Sequence, residues 1–100
     1  METFRREYPA GAPVSGRSHV GVVGSGDLEV LLEPADDQRV QVTVQTSVDG
    51  FEAVWGRVLD RFFANFAGAA RIEIRDCGAT PGTVRLRLEQ AVAELRSAAR

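Results

Sequence analysis

A serine flanked by two glycines and followed by an aspartate, Gly24-Ser25-Gly26-Asp27, is set between the apolar stretches Val20–Val23 and Leu28–Leu32. Neighbours without side chains leave the Ser25 hydroxyl as accessible as a hydroxyl becomes, and their free φ angles suit the tip of a tight hairpin. Such a group is a nucleophile, a point of covalent attachment, or only part of a turn. A dinucleotide-binding reading of Gly21-Val22-Val23-Gly24-Ser25-Gly26 fails on context, because that loop must open a helix whose N–H groups face the phosphate. Here a strand follows. The esterase elbow fails as well, since it needs glycine two places either side of the serine, where Val23 and Asp27 stand.

The other reactive side chains are sparse. Cys77 is the single cysteine and His19 the single histidine, which forbids an internal disulfide and a cysteine-based metal cluster. Cys77 reads as a small apolar side chain at a strand end, and His19 as a solvated or interface residue on a strand. No lysine occurs, so Schiff-base chemistry and a P-loop lysine are excluded. The carboxylates are scattered, Asp36-Asp37 reads as a solvated turn, and no pair stands out for general acid and base work. Neither a catalytic residue nor a metal site is expected.

The elements that must position Ser25 follow from length and pattern. One hundred residues, 44% of them apolar, suit one domain. The net charge of −2, with signs interspersed, argues against nucleic acid as a partner. No run of about 18 apolar residues predicts a membrane span, and Met1–Glu7 lacks the apolar stretch of a signal peptide. A cytoplasmic location is expected.

Residues 1–16 hold Pro9, Gly11, Pro13 and Gly16 and read as a flexible arm, followed by a folded domain over 17–98. Alternation of Val20 with Val22, and of Leu28, Val30 and Leu32, predicts two strands around the serine turn. Val40, Val42 and Val44 alternate with Arg39, Gln41, Thr43 and Gln45 in a third strand, whose polar face suits water or docking. Asp49 with Glu52 predicts a helix cap. Phe51, Val54, Trp55, Val58, Leu59, Phe62, Phe63 and Phe66 then form one wide apolar stripe, each fully buried member contributing about 1.5–3 kcal/mol. Arg71–Arg75 alternates as a fourth, short strand, and strand-helix-strand succession predicts a parallel crossover. Thr80-Pro81 caps a last helix with Val84, Leu88, Ala91, Val92 and Leu95 on its core face and Leu86 off it. The expected fold is an α+β two-layer sandwich, a four-stranded mixed sheet with two helices on one face, in the order β-β-β-α-β-α.

The segments Val20–Pro34, Thr46–Trp55 and Asp76–Gly82 resemble the acyl carrier subunit of malonate decarboxylase, in the same order and at nearly the same spacing over residues 18–95. The citrate lyase acyl carrier is similar more distantly. The resemblance implies that Ser25 bears 2'-(5''-phosphoribosyl)-3'-dephospho-CoA through a phosphodiester. Gly24, Gly26 and Asp27 would flank the attachment and be recognised by the prosthetic-group transferase. It implies as partners the transferase and decarboxylase subunits of the complex, that modifying enzyme and a malonyl-loading acyltransferase. A carrier is not itself an enzyme, which suits a chain whose reactive sulfur would belong to its cofactor. Asp27 would orient the hydroxyl or help hold a metal during transfer, or simply belong to the turn. A citrate lyase-like carrier, an unmodified docking adaptor and a free-standing serine enzyme are the competing readings.

Overall fold

A computed structural model describes residues 1–98, with side chains through Leu95. The chain runs β1 (Glu2–Pro9), β2 (Ser18–Gly21), β3 (Asp27–Pro34), β4 (Arg39–Thr46), α1 (Glu52–Phe63), β5 (Ala70–Cys77) and α2 (Pro81–Ala98). The strands form one five-stranded sheet in the order β1-β4-β5-β3-β2. β4 and β5 are parallel, as the strand-helix-strand succession predicts, and every other neighbouring pair is antiparallel.

Strict alternation gives the sheet two unlike faces. Leu28, Val30 and Leu32 of β3, Val40, Val42 and Val44 of β4, and Ile72 and Ile74 of β5 are buried under the helices. Trp55, Leu59 and Phe63 of α1 and Val84, Leu88, Ala91 and Leu95 of α2 complete that core. The opposite face is uncovered and carries charged pairs such as Arg71 with Glu33 at 3.0 Å and Arg75 with Glu29 at 3.3 Å. The two-layer α+β architecture is therefore present, with both helices in one layer.

The four-stranded expectation is corrected to five, and the order to β-β-β-β-α-β-α. The additional strand lies in the segment expected to be a flexible arm. Its prolines and glycines begin only at Pro9, while Glu2–Tyr8 is free of breakers and points Phe4 into the core. β1 pairs along the whole of β4, from Glu2 opposite Thr46 to Pro9 opposite Arg39. Phe4 meets Trp55 edge-on at 6.3 Å, and the Tyr8 hydroxyl donates to Asp60 Oδ1 of α1 at 2.6 Å. Burial, reinforced by that carboxylate, raises the Tyr8 pKa well above its ordinary value. Residues beyond Pro9 are tied too, with Gly11 N–H donating to Ala67 O at 2.7 Å and Val14 N–H to Ala69 O at 3.0 Å.

Three local expectations shift. β2 ends at Gly21, so Val22 lies outside the strand and is exposed. The strand read from Arg71 to Arg75 is the eight-residue central strand β5. Asp49 does not cap α1, whose N-cap is Phe51 without any side-chain cap; Asp49 instead meets the terminal ammonium of Met1 at 3.0 Å. The reversal at Gly50, with φ of 87°, starts the helix too late for Asp49 to reach its first N–H groups. At α2 the expected cap is present, with Thr83 N–H donating to Thr80 Oγ1 at 3.2 Å.

A strand that seals the core responds to truncation as an arm does not. Phe4→Ala is expected to lower the unfolding free energy by about 3 kcal/mol in urea denaturation followed by Trp55 fluorescence. A change under about 0.5 kcal/mol would mark a loosely held segment.

Candidate functional site

The β2–β3 hairpin is built symmetrically about Ser25. Its register pairs Gly21 with Glu29, Val20 with Val30 and Ser18 with Leu32, so the apex falls on residue 25. Asp27 N–H donates to Gly24 O at 2.9 Å and closes a four-residue turn with Ser25 and Gly26 at its centre. Gly26 has φ of 74°, the left-handed value that the third position of a type II turn demands. At the base of the loop, Gly21 has φ of 77°, and a Cβ there would lie 2.0 Å from Leu28 O. Only glycine fits that crossing of the two strands.

Ser25 itself is exposed, and its hydroxyl makes no hydrogen bond with the described residues. Among the described residues, no imidazole, carboxylate or amine hydrogen-bonds it. Such a hydroxyl is not activated as a nucleophile by this chain, yet it is free to accept a covalent group from another protein.

The loop is fixed on both sides of the serine. Gly26 N–H donates to Cys77 O of β5 at 2.7 Å. Asp27 Oδ1 accepts from Arg87 Nε at 3.0 Å, its Oδ2 lies 2.6 Å from Arg87 Nη2, and Oδ1 accepts from Leu28 N–H at 2.8 Å. This two-pronged pair joins the first residue of β3 to the second turn of α2. The hydrogen bonds from Arg87, then the Leu28 N–H, hold the Asp27 carboxyl below the usual carboxylate range, and Asp27 in turn raises the pKa of Arg87.

The neighbouring loop is ordered by Asp76, which is buried. Its carboxylate accepts from Thr46 Oγ1 at 2.8 Å, Gly78 N–H at 3.1 Å and Ala79 N–H at 3.0 Å. Three donors replace the water that Asp76 loses on burial. The Asp76–Thr80 turn and the start of α2 are thereby set beside the serine hairpin.

The predicted flanking residues Gly24, Ser25, Gly26 and Asp27 stand together at this apex. Asp27 faces Arg87 and its own strand, and among the described residues no group of three or more His, Cys, Asp or Glu could hold a metal. Cys77 and His19 are not brought together: Cys77 pairs with Asp27 at one end of β3, and His19 pairs with Leu31 further along and bonds Glu29 at 2.8 Å. Sequence reasoning missed Arg87 and the carboxylate of Asp76. Among the described residues, four of the five exposed large apolar side chains, Met1, Val22, Val23 and Phe51, also lie at this end of the sheet.

The Asp27–Arg87 pair has a sign that titration reads. A depressed folded-state pKa stabilises the fold above the unfolded carboxyl's value, and that contribution is lost as pH falls through the folded value. Carboxyl NMR is expected to show Asp27 titrating below a free aspartate, and Arg87→Gln is expected to move its midpoint upward.

Comparison with known proteins adds the lineage. The family model described as Malonate decarboxylase delta subunit (MdcD), an ACP family, matches residues 15–95. A malonate decarboxylase acyl carrier protein of Pseudomonas aeruginosa strain UCBPP-PA14 is 57% identical over 95 residues, covering 94% of this chain and 96% of the relative. One from Azotobacter vinelandii is 52% identical over 96 residues, covering 95% and 97% respectively. A chain in the crystal structure of a Pseudomonas malonate decarboxylase hetero-tetramer in complex with malonate superposes with a TM-score of 0.91 at 52% identity. That superposition covers 95% of this chain and 99% of the other. Lineage and fold agree over nearly the whole length, and the chain belongs to the malonate decarboxylase acyl carrier family.

Proposed function

We propose that this chain is the acyl carrier subunit of a malonate decarboxylase and that Ser25 is its point of attachment for a phosphoribosyl-dephospho-coenzyme A group. The observation that carries the attachment is an exposed hydroxyl at the apex of a fixed turn, with no hydrogen bond to any described residue. When attached, the group supplies the thiol on which an acyl unit travels.

The residues present fit such a group. Ser25 is exposed and offers one oxygen for a phosphodiester, with no hydrogen bond to any described residue. Gly24 and Gly26 leave room on both sides for the backbone of a modifying enzyme. The roles left to the chain are to present the hydroxyl, hold the loop still and dock. The exposed Val22 and Val23, 63% and 57% accessible, stand beside the serine where a partner would meet them. The partners proposed are the transferase and decarboxylase subunits of the complex, a prosthetic-group transferase and a malonyl-loading acyltransferase. None of the helices in the described residues is long and apolar enough to cross a membrane, and a cytoplasmic setting is proposed with the rest.

Intact-mass spectrometry of the chain co-produced with its modifying enzymes tests the reading. A gain of several hundred daltons is expected, on the scale of a coenzyme A derivative, localised to the peptide holding Ser25 and lost in Ser25→Ala. Ser25→Ala is expected to keep the wild-type melting temperature within a degree or two, because its hydroxyl bonds nothing. An unmodified Ser25 in a working complex would identify the chain as an adaptor instead.

A further inference from the structure

We infer that Arg87 is a positioning residue for modification of Ser25, acting through Asp27 to hold the serine turn in the form a modifying enzyme engages. The inference rests on Ser25 as the attachment point and adds a residue, in a different element, that neither the serine motif nor the family comparison singles out.

A five-residue loop carrying two glycines has wide conformational freedom unless something outside it restricts it. Inside the loop, among the described residues, only the Asp27 N–H to Gly24 O bond closes the turn. From outside, one neutral bond reaches it, Gly26 N–H to Cys77 O, and the charged fork of Arg87 grips Asp27 where the turn ends. Hydrogen bonds between charged partners are about twice as strong as neutral ones, and a two-pronged guanidinium fixes direction as well as distance. Arg87 is itself held, because Nη1 donates to Gln90 Oε1 one turn further along α2 at 2.9 Å. The Arg87 side chain also lies against the loop base, with Nε 3.3 Å from where a Cβ on Gly21 would stand. Arg87 thus meets both ends of the loop, Gly21 and Asp27, while leaving Ser25 untouched.

The chemistry makes that order matter. In loading, the Ser25 Oγ–phosphorus bond forms as a phosphoanhydride bond of the activated donor breaks. The departing phosphate leaves with the bonding electron pair. The hydroxyl proton passes to a base of the modifying enzyme, since this chain places none at Ser25. An enzyme that must bring its own base to a foreign hydroxyl needs that hydroxyl in one place. If the competent turn is populated only a fraction of the time, the apparent affinity for the carrier falls by that fraction.

The test is steady-state loading of the full-length chain by its prosthetic-group transferase, with a 5''-phosphoanhydride-activated form of phosphoribosyl-dephospho-coenzyme A as the saturating donor and the carrier varied. Arg87→Ala is expected to raise KM for the carrier about tenfold and to leave kcat within about twofold, the pattern of a lost population. Arg87→Lys, which keeps the charge without the fork, is expected to fall between. Asp27→Asn should reproduce the Arg87→Ala effect, and the double variant should add little to either, as residues acting as one unit do. Hydrogen exchange of the unloaded chain supplies a second readout, with amides 22–26 exchanging faster in Arg87→Ala and those of β4 and β5 unchanged. Unaltered loading in Arg87→Ala, or a loss confined to kcat, overturns the inference, whatever the amides do. Failure of the wild-type chain to gain mass at all would overturn the attachment itself, a separate result, because the exchange readout needs no loading.

Discussion

A hydroxyl offered to other proteins must be bare and yet stationary, and those demands conflict, because the bonds that fix a side chain also cover it. This hairpin resolves the conflict by placing every restraint on the neighbours of Ser25. The turn is closed from Gly24 to Asp27, Gly26 is bound to β5, and Asp27 is gripped by α2. Ser25 receives its position from the backbone on either side and makes no bond of its own. Gly21 and Gly26 adopt the positive φ angles, which glycine takes without steric strain, so Ser25 need not.

The sheet order brings the required elements to one place. Because β4 and β5 are parallel and β3 is antiparallel to β5, the ends of β4 and β5 and the beginning of β3 share one rim. β1 starts at that rim as well, opposite Thr46. The chain leaves β5 there, turns around the buried Asp76 carboxylate and enters α2 at Pro81. Arg87, six residues along at about 1.5 Å per residue, lies roughly 9 Å down the helix axis, where the first residue of β3 meets it. The Asp76 turn therefore serves the hairpin from a distance: it aims the helix whose arginine fixes the loop.

Much of this was legible in the residues and some was not. The alternation of Val40, Val42 and Val44, the stripe of Val84, Leu88, Ala91 and Leu95, and the Thr80-Pro81 cap appear in the structure as their periodicities predict. The serine turn was visible because glycine leaves a signal that does not depend on the rest of the chain. The first strand was obscured by the breakers that follow it, since a dense run of proline and glycine reads as loop even when seven residues free of breakers precede it. Asp49 looked like a cap by spacing alone, but Phe51 takes that position and the Met1 ammonium claims the carboxylate. Arg87 stands one residue before Leu88 on the border of the apolar stripe, where arginines usually meet water. Its partner is sixty positions earlier in the chain, and no local pattern reports a contact of that range.

The uncovered sheet face and the serine rim divide the surface by chemistry. On the open face, Arg39, Arg71 and Arg75 interleave with Glu7, Glu33 and Glu29; the Arg39–Glu7 and Arg71–Glu33 pairs are too exposed to add much stability, while such charges keep a bare sheet hydrated. The sheet edges are guarded too, by a four-residue β2 ending in glycine and by the proline that closes β1. Exposed apolar side chains are instead concentrated at the rim, two of them adjoining the serine turn. Under the reading proposed above, a partner docking on those apolar side chains would arrive facing Ser25. On the proposed attachment at Ser25, contact and presentation would coincide in one loop, and the restraint that Arg87 places on that loop would act on both at once.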